Sequence, residues 1–163
     1  MITLSTEPST QTAPNYSQRA AGSTAQLEMA WHRASECLRN EITQLPAPDL
    51  KANRRIESSL RYMMDHLNEP MRISMLSAKV GLSESCFFAH FKNATGHTPV
   101  RLLIRARMRW AGELLEATDL QIKEIAGLVG YDDQFYFSRL FKSVHGLSPR
   151  NYRLQKAPVL EGN

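Results

Sequence analysis

In the stretch "QFYFSRLFK", residues 134–142, Gln134, Phe135, Ser138, Arg139 and Lys142 recur at steps of one and three. Wound into a helix at ~100° per residue, Phe135, Arg139 and Lys142 share one side, and Gln134 and Ser138 flank them. An earlier stretch, "ESCFFAHFK", sets out Ser85, Phe88, Ala89 and Lys92 in the same manner. The chemistry open to such faces is recognition. An Arg fork matches the two acceptors of guanine, a Gln amide matches the donor and acceptor of adenine, and an exposed Phe or Ala can meet a thymine methyl. Lysines and helix N-termini hold phosphates. Each residue also has a plainer use. Phe88 and Phe135 could cover neighbouring helices, Arg139 could pair with Asp132 or Asp133, and Lys92 and Lys142 could simply be solvated.

Other chemistries lack their residues. No nucleophile, base and orienting group stand together, and no phosphate-binding glycine loop is present, so an enzyme is not expected. No two of the five histidines, His32, His66, His90, His97 and His145, stand at the i, i+4 spacing of a helical metal site. No metal and no cofactor is implied. Cys37 and Cys86 are far apart and outside any CxxC pattern, which suits reduced thiols. Cys86 reads as an inert thiol beside the reading face, with redox sensitivity as its rival. Tyr131 and Tyr136 read as packing residues. No apolar run approaches the ~20 residues of a membrane span, and the start "MITLSTEPSTQTAPNYSQ" lacks a signal-peptide pattern. A cytoplasmic protein without membrane contact is expected.

The faces need elements to position them. Residues 1–22, rich in Ser, Thr, Ala, Gln and Pro, are expected to be disordered. A helix over 23–45 follows, with Ser23 and Gln26 at capping-box spacing and Leu27, Trp31, Ala34, Leu38, Ile42 and Leu45 on one stripe. "PAP" at 46–48 opens a linker over 46–53. From 54 to 156 the pattern is helical throughout, leaving 157–163 as a tail. The basic charge belongs to this part: residues 54–156 carry sixteen Lys and Arg against ten Asp and Glu, whereas residues 1–53 carry four against five. Such a surplus is the footprint of a polyanion binder, or merely a solvated surface.

Within 54–156 the sequence repeats. "ISMLSAKVGLSESCFFAHFKNATGHTP" (73–99) aligns with "IKEIAGLVGYDDQFYFSRLFKSVHGLSP" (122–149), matching Ile73, Leu76, Val80 and Gly81 to Ile122, Ile125, Val129 and Gly130. Each unit is a short helix, a glycine turn and a second helix, the helix-turn-helix pattern. Gly81 and Gly130 would take the left-handed conformation that redirects the chain, and Ser77 or Ala126, four residues earlier, lets the helices cross closely. Ser83 opens the second helix of the first unit, and Thr98–Pro99 starts a long helix over 99–117. Ser148–Pro149 repeats that start near the end. The helical wheel buries Phe87, His90, Phe91 and Ala94 in the first unit, and Phe137, Leu140, Phe141 and Val144 in the second. Asp132 is placed to cap the last recognition helix.

Two such units joined by a long helix, with "AGLVGYDDQFYFSRLFKSVHGLSPRNYR" closing the second, resemble the DNA-binding domain of the AraC/XylS family of bacterial transcription regulators over roughly residues 54–155. The resemblance implies an all-α fold of seven helices in two subdomains (54–98 and 118–156). The helix at 99–117 would hold two recognition helices in successive major grooves of double-stranded DNA. It places Gln134, Phe135, Ser138 and Arg139 at the reading positions of the second unit, and Ser85, Phe88 and Ala89 at those of the first. Nineteen residues at ~1.5 Å rise make a rod of roughly 28 Å, near the ~34 Å repeat that separates the grooves. By the same resemblance the protein activates transcription and has RNA polymerase as a partner. Where family members often place Ser and Arg in the first recognition helix, this sequence has Phe88 and Ala89. Residues 1–53 are also too few for the sensor domain many members carry, so no small-molecule effector site is expected.

A second function stays open: an interaction protein or accessory regulator with weak or nonspecific DNA binding, engaging a partner through residues 24–45. That helix either docks on the DNA-binding part of its own chain or uses its stripe for weak self-association or a partner.

Overall fold

The computed structural model describes residues 24–43 and 50–156. The expectations for residues 1–22, Ser23, Leu45, the "PAP" break and the 157–163 tail fall outside them. The described residues form eight helices and no strand: α1 (Thr24–Thr43), α2 (Leu50–Asp65), α3 (Ile73–Lys79), α4 (Glu84–Thr95), α5 (Pro99–Ala117), α6 (Ile122–Leu128), α7 (Gln134–His145) and α8 (Pro149–Lys156). Helices α2 to α8 are the seven that the resemblance implies. The helix expected from residue 54 begins at Leu50, because "LKAN" adds good helix formers ahead of the basic pair Arg54–Arg55.

Helix α5 is the axle. Leu102, Leu103, Ala106, Met108, Trp110, Ala111, Leu114 and Leu115 are buried around its circumference, as expected of a helix packed on several sides. Helix α4 reaches it from the first unit, and α6, α7 and α8 from the second. The stripe of α2, Ile56, Leu60, Met63 and Met64, is fully buried, and so is Leu67 just beyond its end.

Helix α1 packs chiefly along α5, with a smaller contact on α2. Leu27, Trp31, Ala34 and Leu38 are buried there, and Arg33 meets Glu113 of α5 at 3.1 Å. The stripe that self-association would need is therefore covered by the protein's own chain, and docking is the arrangement observed.

Helix ends follow the sequence closely. Ser83 Oγ accepts from Cys86 N at 3.3 Å, and Thr98 Oγ1 accepts from Arg101 N at 3.3 Å, with Pro99 in the first turn. Ser148 Oγ accepts from Asn151 N at 3.3 Å. One cap differs from expectation. Asp133, not Asp132, caps α7: its Oδ1 accepts from Phe135 N at 2.7 Å and Tyr136 N at 3.1 Å. The helix starts at Gln134, so the extended residue just before it is Asp133. Gly81 and Gly130 turn the two units with φ of 66° and 85°, and Ser77 and Ala126 are buried at the crossings.

Candidate nucleic-acid interface

Each recognition helix buries a narrow ridge and exposes the rest. In α7, Phe137 and Phe141 are fully buried, with ring centroids 5.9 Å apart. In α4, Phe87 and Phe91 do the same at 5.5 Å. These aromatic ridges fix each helix's rotation and so decide what faces outward.

The outward faces hold the residues that the sequence singled out. In α7, Phe135 is 80% exposed; Arg139 and Lys142 are also exposed, and Gln134 and Ser138 are half-buried beside them. In α4, Ser85, Ala89 and Lys92 are exposed, and Phe88 is 40% exposed. The plainer use of Phe135, covering a neighbouring helix, does not hold at that exposure. Among the described residues Arg139 forms no ion pair, and Asp133 spends its carboxylate on the helix cap. The Ser138 hydroxyl donates to Gln134 O at 2.8 Å, which leaves its oxygen as an acceptor only.

Two residues assigned to the core lie elsewhere. His90 is exposed, because the buried arc of α4 is centred on Phe87 and Phe91 and His90 falls at its edge; Ala94 is half-buried and packs against the core. Val144 is 40% exposed. Together with the half-buried Leu140 it lines an open groove against Val100, Arg101, Ile104 and Arg105 of α5. Tyr131 packs on Phe137 as expected, whereas Tyr136, tilted on Tyr131, is 46% exposed. Cys86 is a free, half-buried thiol.

One arginine of the basic segment is not on the surface at all. Arg107 of α5 is 6% exposed. Its Nε donates to Leu67 O at 2.7 Å, its Nη2 donates to Glu69 O, and its guanidinium lies 5.3 Å from the centroid of the Tyr131 ring. Buried charge is tolerated when hydrogen-bonded in this way. Burial pushes the Tyr131 phenol up from its ordinary pKa, and Arg107 pulls against that shift. A signal did exist: on the α5 wheel Arg107 sits inside the apolar arc of Leu103, Ala111 and Leu114. At the far end of α5, Arg153 donates to Leu115 O at 3.3 Å and Leu120 O at 2.6 Å, holding α8 against the end of the helix.

A profile for a helix-turn-helix domain matches residues 76–155. The fold around that segment is like the C-terminal domain of AraT, a response regulator from Geobacillus stearothermophilus, with TM-score 0.62 and 29% identity over 72% of this chain and 95% of that one. The chain belongs to the AraC family of helix-turn-helix DNA-binding regulators. Among AraC-family relatives, the MmsAB operon regulatory protein of Pseudomonas aeruginosa is 35% identical over 122 residues, which are 74% of this chain and 40% of that protein. The DNA-binding domain of the global transcriptional factor AdpA, solved in complex with a target DNA, matches with TM-score 0.61 and 28% identity over 66% of this chain and 98% of that domain. The chain spans about 40% of the length of the first curated relatives it matches.

Proposed function

We propose that this AraC-family chain is a sequence-specific transcription regulator, an activator, that reads two successive major grooves with α4 and α7. The observation that carries this is the doubled outward face. Two helices of twelve residues each, rotated by buried Phe pairs, present polar, basic and aromatic side chains outward at matching positions. Arg139 and Gln134 serve as the polar base readers. Phe135 and Phe88, with Ala89, serve as apolar contacts to thymine, Ser138 and Ser85 as short polar contacts, and Lys92 and Lys142 as phosphate contacts. Activation is supported by relatives named as transcriptional activators, RhaS of Klebsiella pneumoniae and Btr of Bacillus subtilis; RNA polymerase is the partner that activation implies. The assignment is to a cytoplasmic regulator that binds DNA through α2–α8 and does no chemistry on it.

In vitro selection of bound DNA from a random pool tests the assignment. It is expected to return a site with two conserved segments about one helical turn apart. Gel shifts on selected and random DNA across a salt series complete the test. Affinity that falls equally with salt on both, with no specificity ratio, would show phosphate contact only and favour an accessory regulator.

A further inference from the structure

The two units repeat in sequence, but their turns do not occupy equivalent surroundings. Gly81 and Gly130 both hold positive φ, 66° and 85°. A Cβ placed on Gly81 would meet nothing within 4 Å, whereas one on Gly130 would lie 2.9 Å from Asn68 O and 3.1 Å from Arg107 Cζ and Nη2. Asn68 belongs to the connection between α2 and α3, in the first unit. The turn of the second unit therefore touches the first unit directly, and the long helix is not their sole connection.

Arg107 closes this contact from α5. Its fork takes the carbonyls of Leu67 and Glu69, on either side of Asn68, and its Cζ lies over the ring of Tyr131, the residue after Gly130, 5.3 Å from the centroid. Two carbonyls thus accept from the guanidinium, the one between them faces Gly130, and the Tyr131 ring lies beside the guanidinium. Among the described residues no carboxylate pairs with Arg107, so its charge is compensated by these groups. A lysine could not reproduce the planar fork. The contact restrains rotation of the second unit about the α5 axis, which the packing of α6, α7 and α8 on a single helix would resist less. That rotation is the coordinate that sets how far apart α4 and α7 meet DNA.

We infer that the junction of Asn68, Arg107, Gly130 and Tyr131 fixes the spacing between the two DNA segments that this protein recognises. These are positioning residues: Arg107 is buried, and Tyr131 is half-buried against Phe137. The inference rests on the two-groove reading above, and the two can fail separately.

The test uses the full chain and a selected site carrying one base pair fewer, none, one or two more between its conserved segments. For the unchanged protein, affinity is expected to fall at least about tenfold for each one-base-pair change, as expected when one of two base-reading helices is lost. For Arg107→Lys, Gly130→Ala and Tyr131→Leu, affinities across the spacings are expected to converge to within about threefold. Gly81→Ala is the matched control. It carries the same φ strain without the contact, so it is expected to lose thermal stability yet keep the unchanged protein's spacing profile. Tyr131→Leu removes only the ring from a half-buried site and keeps the test open if either of the other variants fails to fold. Folded variants that retain the steep profile would overturn the inference. A flat profile for the unchanged protein would overturn the two-groove reading and this inference with it.

Discussion

Tyr152 of α8 donates its phenol O–H to Glu116 Oε1 near the end of α5, at 2.8 Å. The same ring packs edge-on against Phe141, 5.3 Å between centroids, and against His145 at 5.1 Å. His145 Nε2 in turn lies 3.0 Å from Met108 O. The last helix is thereby tied both to the linker helix and to the buried ridge that sets the rotation of α7. Burial, and then the hydrogen bond to Glu116, push the Tyr152 phenol up to about 12. An unfolded tyrosine ionises near ~10. The folded state therefore holds this proton more tightly, and the associated stability is complete below about pH 10 and lost as pH rises toward 12. The thermal midpoint of the protein should fall across that window. Tyr152→Phe should lower the midpoint at neutral pH and flatten the fall, and an unchanged alkaline slope would show that other groups govern it.

The cap of α7 makes a second test. Asp133→Ala should cost about 0.5–2 kcal/mol in denaturant unfolding, the usual range for losing an N-cap. Asp132→Ala should change stability by less than about 0.5 kcal/mol, as expected for an exposed residue outside any such feature. A larger loss at Asp132 than at Asp133 would mean that the helix starts one residue earlier than observed.

The contrast between these neighbouring aspartates shows what the sequence made legible. The helices themselves were readable because their start signals are chemical: Ser83, Thr98–Pro99 and Ser148–Pro149 each cap where expected. The outward faces were readable because two Phe residues one turn apart, Phe87 and Phe91 or Phe137 and Phe141, leave little choice of which side is buried. Choosing between Asp132 and Asp133 needed the backbone angles of the turn, which two equivalent carboxylates do not encode. His90 and Val144 were misplaced because the wheel treats the buried arc as uniform along a helix. In α4 the buried arc is narrow, centred on Phe87 and Phe91, and in α7 it ends before Val144, which lies beside an open groove. Arg107 went unread because counting charge pools every arginine into one surplus, and only packing separates the buried fork from the exposed readers.

Arg139→Ala removes the proposed guanine contact. It should weaken binding to the selected site by about 1–3 kcal/mol and relax preference at a single base position. Binding to random DNA should change little. A uniform loss across all sequences would make Arg139 a phosphate contact, and a lowered thermal midpoint would make it structural.

Phe135 and Phe88 are apolar rings on faces otherwise suited to DNA. Thymine presents a methyl in the major groove, and uracil lacks it. Burying one such group is worth ~0.8 kcal/mol, or roughly fourfold in affinity. Replacing thymine by uracil one position at a time should therefore reveal at least one sensitive position in each segment. That sensitivity should disappear in Phe135→Ala for one segment and in Phe88→Ala for the other. If no position responds to methyl removal, neither ring reads thymine.

Trp31 decides what α1 is for. The indole is 1% exposed against the packed face of α5, with Leu27, Ala34 and Leu38 buried on the same stripe. Removing a large side chain from such a site costs about 3–5 kcal/mol through lost transfer energy and the cavity left behind. Because α5 carries both units, that loss should reach the whole DNA-binding fold and not α1 alone. Trp31→Ala is thus expected to lower the thermal midpoint of the complete chain in one cooperative transition. A chain shortened to begin at Leu50 should be destabilised in the same way, since the face of α5 that α1 covers would be open to water. Sedimentation separates this from the competing use of the stripe. The full chain should sediment as a monomer, and so should Trp31→Ala, because the apolar surface is already satisfied within one molecule. A concentration-dependent dimer that Trp31→Ala dissolves, with the midpoint unmoved, would instead make α1 an association helix.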